Sequence, residues 1–241
     1  MVRLPPVSEP AYVRWITRSD MGATRTWRLA PGARTGVQLG WGCRCVPKGN
    51  NGSMGRTYEA IDGRLADWLV AQPVFFVATA PLDEDGLVNC SPKGNRDEFV
   101  VLDERTVAYL DQTGSGVETI AHLRENGRIV LMFCALSGPP RIVRLHGVGT
   151  VVPVTDTGFT ELVNRFPRGA GVGVRSVIVV RVNRIADSCG YGVPLMSFER
   201  HRTTLDEWSL RKGPDGIRRY WEEQNTRSIE DLPGLSTGTP D

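Results

Sequence analysis

Leu110-Asp111-Gln112-Thr113-Gly114-Ser115-Gly116-Val117-Glu118-Thr119 is the stretch whose reading decides the fold. An apolar run ends in a loop with two glycines and passes into residues 120–126, the pattern of a strand turning into a helix. Ser115 and Glu118, three apart, predict a capping box at the helix start. Gly114 and Gly116 let the backbone approach a ligand closely. Free amides and the positive end of the helix dipole then favour a phosphate or carboxylate. A well-capped helix with no ligand fits the same residues.

What flanks this turn settles the type of sheet. Gly114-x-Gly116 after a strand suggests a dinucleotide fingerprint, but Thr119 stands where the third glycine belongs. The next strand, residues 128–134, does not end in the acid that would hold a ribose. Residues 74–80 are a continuous Val- and Phe-rich run, predicting a buried strand. Asp83-Glu84-Asp85-Gly86 turns the chain into a return strand over residues 87–91, and Pro92 places that strand at an edge or ends it. Residues 99–102 and 106–110 form a second hairpin around Asp103-Glu104-Arg105. Residues 141–154 predict a long strand bent at Gly147 and Gly149, and residues 176–182 a last buried strand. Seven strands with few helices between them predict an antiparallel barrel, mainly β with flanking helices.

Helical spacing is confined to the flanks. Ile61, Leu65, Trp68 and Leu69 share one face before Pro73, and residues 159–166 predict a short helix. Residues 199–241 read as an amphipathic helical tail, with Thr204 and Glu207 as a second capping box. Its Ile217, Tyr220 and Trp221 form an apolar face for the barrel or for a partner chain. The expected organisation is thus a basic, unstructured extension over 1–53, a barrel over 54–198 and the tail over 199–241. Residues 1–53 carry eight Lys or Arg against two acids and show no sustained period. A natural start at Met54 is the reading favoured for them.

Composition narrows the function. The 241 residues carry 29 basic and 27 acidic side chains, and with the extension set aside the body is mildly acidic. No basic stripe is left for a nucleic acid to follow. The longest apolar run is too short to cross a membrane. Five cysteines, an odd number, do not suggest a disulfide framework and fit a reducing cytoplasm. His122, His146 and His201 are far apart, and Cys43-x-Cys45 has no second half, so no metal site is expected.

Two polar rows remain. Asn89, Ser91 and Lys93 share one face of a strand, a set of amide, hydroxyl and ammonium that can hold a phosphate. A solvated strand face looks the same. Arg144 and His146 share another face, opposite Val143 and Leu145, where a solvated face is again the simpler reading.

Taken in order, Phe75-Phe76-Val77-Ala78-Thr79-Ala80, Asn89-Cys90-Ser91-Pro92-Lys93-Gly94, Tyr109-Leu110-Asp111-x-Thr113-Gly114-Ser115-Gly116, Leu123-x-Glu125-Asn126 and Arg144-Leu145-His146-Gly147 resemble the pyridoxamine 5′-phosphate oxidase-related family. The resemblance spans residues 60–187, and Ser188-Cys189-Gly190-Tyr191-Gly192-Val193-Pro194 is similar to one branch of the family. It implies an FMN-binding split β-barrel of antiparallel Greek-key type, a homodimer with the cofactor between subunits, and an FMN-dependent oxidoreductase acting on a small molecule. It also implies that Ser91 and Lys93, with Asn89 on their face, approach the cofactor from one strand. Thr113, Ser115, Gly116 and Thr119 would lie at the helix start, with Arg144 reaching the site from a later strand. No residue is assigned a catalytic role. Two departures argue against oxidation of pyridoxamine phosphate itself. The early helix turn shows Val117, Glu118 and Thr119 in place of the true oxidase's basic residues, and the tail has no equivalent of that oxidase's substrate-recognising Arg and Trp segment. The alternatives are a deazaflavin-dependent reductase of the same fold and a flavin- or haem-binding protein without turnover.

Overall fold

Residues 55–94 and 96–236 are described by the computed structural model, so the expectations for 1–53 lie outside the described residues. The chain runs β1 (Thr57–Tyr58), α1 (Gly63–Val70), β2 (Val74–Thr79), β3 (Asn89–Gly94), β4 (Phe99–Asp103), β5 (Thr106–Gln112), α2 (Glu118–Asn126), β6 (Arg128–Cys134), β7 (Ile142–Pro153), α3 (Phe159–Val163), β8 (Val174–Ser188) and α4 (Thr204–Gln224).

Apolar alternation drives one antiparallel sheet, in the order β3-β2-β6-β7-β8-β5-β4, with β1 added along β8. Its two free edges, β3 and β4, are consecutive in the chain and joined only by the single helical turn Arg96–Glu98. The sheet rolls until these edges face each other. Phe99 of β4 lies 5.4 Å from Phe75 of β2 and 5.1 Å from Phe133 of β6, ring centre to ring centre. Phe75 also stacks on Phe133 at 5.1 Å and meets Tyr109 of β5 edge-on at 5.7 Å. This is a split barrel, closed by side chains where backbone pairing stops.

Val77, Leu131, Val143, Leu145 and Ile178 fill the interior and are fully buried. β5 and β8 are covered on both faces, because α3 and the turn after it lay Phe159, Val163 and Phe166 against Ala108, Leu110 and Val177. That double burial is why residues 107–110 read as continuous apolar sequence. α1 is capped by Asp62, whose Oδ1 accepts from the Leu65 amide at 2.8 Å, and buries Leu65 and Leu69.

Local chemistry accounts for the departures from expectation. β3 starts only at Asn89, leaving Leu87 and Val88 exposed, and continues through Pro92, which is tolerated because β3 is an edge. The pairing of β7 with β8 shifts at His146/Gly147, and a Cβ on Gly147 would stand 2.3 Å from the Arg181 carbonyl oxygen. Gly149 has a different reason for being glycine. Leu123 of α2 packs where its Cβ would be, at 2.8 Å. The last strand is more than twice its expected length, since β8 serves β7, β5 and β1 in turn. The tail is not one helix: Gly213, at φ 66°, breaks α4 ahead of Pro214, and the chain beyond Gln224 is irregular.

The aromatic closure gives a direct stability prediction. Phe133, 1% exposed, contacts both Phe75 and Phe99. Phe133→Ala should cost about 3–5 kcal/mol in denaturant unfolding. A loss under about 1 kcal/mol, the scale of a surface change, would mean that the rings do not close the seam.

Candidate functional site

Cross-strand pairing assigns the faces. Asn89, Ser91 and Lys93 stand opposite Thr79, Val77 and Phe75, so the polar row of β3 points to the inner side of the seam. Cys90 and Pro92 point outward. Across the seam lies Asp111 of β5, with no exposed surface.

A carboxylate so placed must be paired. Arg175 donates to Asp111 from Nε at 2.7 Å, Lys93 from Nζ at 3.2 Å and Ser176 from its hydroxyl at 3.3 Å. Burial pushes the Asp111 carboxyl up, but Arg175 and Lys93 outweigh it and hold the group below the usual carboxylate range. Two cations face one anion here, so the cluster carries one net positive charge. Lys93, with 20% of its side chain exposed, brings that charge toward solvent. Arg175 also donates from Nη1 to the Gly116 carbonyl at 2.9 Å and to Asn225 Oδ1 at 3.0 Å, tying the loop before α2 to the tail.

The row of β3 also meets α2. Asn89 donates from Nδ2 to Thr119 Oγ1 at 3.0 Å and to Thr79 Oγ1 at 3.1 Å, and Ser91 donates to Asn89 Oδ1 at 3.0 Å. Four expected site residues, Asn89, Ser91, Lys93 and Thr119, are therefore brought together. Thr113 is adjacent but committed: its hydroxyl donates to the Gly173 carbonyl and accepts from Trp221 Nε1, both at 2.8 Å. Ser115 is exposed on the loop, and Gly116 lies over the Arg175 contact. Arg144 does not join them. Val143 and Leu145 are core residues, so Arg144 lies on the outer face, where Nη1 donates to Ser188 Oγ at 3.2 Å.

The helix start differs from the expected capping box. α2 begins at Glu118 with Val117 at the cap position, and no side chain caps it. Instead the Glu118 carboxylate folds back over Gly116, with Oε2 2.1 Å from where a Cβ would be. An acid of the chain itself thus lies against the glycine that was expected to admit a ligand. Thr204 and Glu207 likewise form no box; the cap position is Thr203, whose hydroxyl donates to Glu207 at 2.7 Å.

The tail enters the site by a route invisible in the sequence. Asn225 donates to the Gly114 carbonyl at 3.0 Å, Arg124 donates to the Gly234 carbonyl, and Leu235 is buried in the barrel core. Within α2, His122 is fully buried, with Nδ1 3.0 Å from Thr79 Oγ1 and Nε2 3.4 Å from Glu230 Oε2. Asp111 carried one available signal: a carboxylate inside an apolar strand needs a buried cation. Nothing local marks Arg175, His122 or Glu230. On the outer face, Ala78, Val88, Arg128, Val130 and His146 line a cavity of about 280 Å³. Burial, then Arg184 and Arg144, lower the His146 pKa. No cluster of metal-ligating side chains occurs among the described residues.

Asp111→Ala should cost about 3–5 kcal/mol of stability, because it strands the buried Arg175 guanidinium. The pH dependence has a definite sign. A carboxyl depressed in the folded state contributes stability above its unfolded pKa, near 4, and that contribution is lost as pH falls through the folded value. Unfolding measured from pH 6 down to pH 2 should therefore show a shallower acid decline in the variant than in the native chain. Parallel declines would contradict the pairing.

Comparison with known proteins agrees with this architecture. Residues 61–189 match the family model described as pyridoxamine 5′-phosphate oxidase. The pyridoxamine 5′-phosphate oxidase family protein ustO of Aspergillus flavus is 38% identical over 200 residues, covering 76% of this chain and 79% of that protein. Among solved structures, a HupZ variant from Group A Streptococcus is 23% identical with a TM-score of 0.43, covering 53% of this chain and 98% of its own. An FMN-binding protein from Syntrophomonas wolfei is 15% identical with a TM-score of 0.37, covering 56% and 86%. These two structural likenesses are too remote to bear on function. The family match and the ustO relationship place this chain in the pyridoxamine 5′-phosphate oxidase family.

Proposed function

We propose that the chain is an FMN-binding oxidoreductase of the pyridoxamine 5′-phosphate oxidase-related type, cytoplasmic and homodimeric, and distinct from the oxidase that acts on pyridoxamine phosphate. The observation that carries the reading is the inner row of β3. Asn89, Ser91 and Lys93 stand beside Thr119 at the seam of a family member's barrel, backed by a cluster with one net positive charge.

These residues suit a flavin. Bound FMN supplies reversible transfer of a hydride or an electron pair, and its ring gains negative charge at the pyrimidine edge on reduction. Lys93 is held in place by Asp111 and cannot swing away, so its charge is preorganised for that edge or for the phosphate. Ser91, half-buried beside it, offers a hydroxyl. Asn89 and Thr119 spend their polar groups on each other and orient Ser91. Arg144, on the outer face of β7, belongs to a site completed by dimerisation. Phe76 and Met132, half-exposed on that same face, are suited to a subunit contact.

The substrate distinction rests on two features of this chain. Glu118 covers the helix start, where the oxidase places cations, and the tail is spent on α2 through Asn225, Glu230 and Gly234. Purified protein titrated with FMN and, separately, with a deazaflavin should bind FMN, show a flavin spectrum and be bleached by a nicotinamide donor. Uptake of the deazaflavin alone would replace FMN as the cofactor. A bound flavin that no donor reduces would remove the oxidoreductase assignment. Lys93→Ala should weaken FMN binding by about 1–3 kcal/mol, the scale of a charge-assisted contact. Unchanged affinity would take Lys93 out of the site.

A further inference from the structure

A chain of side chains links the C-terminal segment to the seam. Glu230 Oε2 lies 3.4 Å from His122 Nε2, and His122 Nδ1 lies 3.0 Å from Thr79 Oγ1. Thr79 Oγ1 is 3.1 Å from Asn89 Nδ2, and Asn89 Oδ1 is 3.0 Å from Ser91 Oγ. His122 and Thr79 are buried, so water does not substitute for any partner along this part of the path.

Such a chain has two possible directions. In one, a His122 proton on Nδ1 is donated to Thr79, Thr79 donates onward to the amide oxygen of Asn89, and the amide nitrogen donates to Ser91. In the other, Thr79 donates to a bare Nδ1, the Asn89 amide nitrogen donates to Thr79 and Thr119, and Ser91 donates to the amide oxygen. Glu230 decides between them. Burial pushes its carboxyl up, but the Ser228 hydroxyl, donating to Oε2 at 2.8 Å, and the neighbouring donors outweigh it and hold the group below the usual range, so it has no proton to give. The carboxylate can only accept, so the His122 Nε2 that faces it carries a proton, and in the neutral ring that proton is the only one. Nδ1 is then bare and Thr79 must donate to it. The Asn89 amide nitrogen donates to the Thr79 and Thr119 oxygens, which leaves its amide oxygen to accept the Ser91 proton.

We infer that Glu230, acting through His122, Thr79 and Asn89, is a positioning residue that makes Ser91 Oγ an obligate hydrogen-bond acceptor toward the cofactor. Ser91 then selects a ligand edge that carries an N–H donor, the chemistry of the imide on the pyrimidine edge of a flavin or deazaflavin ring. It rejects a bare anion such as phosphate, which offers no donor. The inference rests on the flavin reading for its ligand, but the direction of the relay stands without it.

The two parts are tested separately on the full-length protein. Long-range proton–nitrogen NMR of the imidazoles, with only three histidines to assign, reads the His122 tautomer with no cofactor present. The native chain should show the neutral Nε2–H form, and Glu230→Ala should mix or reverse it; an Nδ1–H form or a doubly protonated ring in the native chain overturns the relay. FMN and its N3-methyl analogue are then titrated. Native protein should prefer FMN by about tenfold, one hydrogen bond's worth. Ser91→Ala should abolish the preference, and Glu230→Ala should reduce it even though Ser91 and its volume remain. Equal affinity for the two flavins in native protein overturns the role of Ser91. Failure to bind either flavin overturns the cofactor reading and the ligand half of this inference together, and the tautomer result shows whether the relay itself holds.

Discussion

The shared hold of Lys93 and Arg175 on the buried Asp111 carboxylate is the interaction on which the site depends. The sheet has no backbone pairing between β3 and β4, so its closure relies on side chains. The Phe75, Phe99 and Phe133 rings supply apolar closure at one level of the seam, and Asp111 supplies an ionic closure beside them. The ion pair across the seam is directional where ring packing is not. It fixes the position of Lys93 on the edge strand, with a fifth of that side chain exposed. Through Arg175, the same carboxylate fixes the loop before α2 and the first residue after α4.

The barrel was legible because its strands obey simple rules. Residues 74–80 and 128–134 read as buried strands and 106–110 as one arm of a hairpin, and all three are found within a residue or two of their expected bounds. Pro92 announced either an edge or the end of its strand, and β3 is an edge that runs on to Gly94. The ends of elements were less legible. Ser115 and Glu118 have the spacing of a capping box, but Glu118 turns back over Gly116 and the helix starts two residues later than Ser115 requires. Capping patterns describe what a backbone can accept, and the tertiary contacts of Arg175 and Asn225 with this loop decide otherwise.

The candidate site was legible in part for a similar reason. A period of two put Asn89, Ser91 and Lys93 on one face, and that face is the one turned to the seam. Their partners come from far along the chain: Asp111 is 18 residues from Lys93, Arg175 is 64 from Asp111, and Glu230 is 108 from His122. No local pattern encodes pairs of that separation. The tail illustrates the point best. Its apolar face was visible, and Ile217 is indeed buried, but the working residues are the polar Asn225 and Glu230 in the irregular segment beyond the helix.

The most direct test of this account is a double-mutant cycle on the seam, with Lys93→Met, Asp111→Leu and the pair measured by denaturant unfolding. A preorganised ion pair predicts a coupling of about 1–3 kcal/mol between the two substitutions. Additive effects would show that Lys93 and Asp111 do not act on each other, and the seam would then owe its closure to the aromatic rings alone.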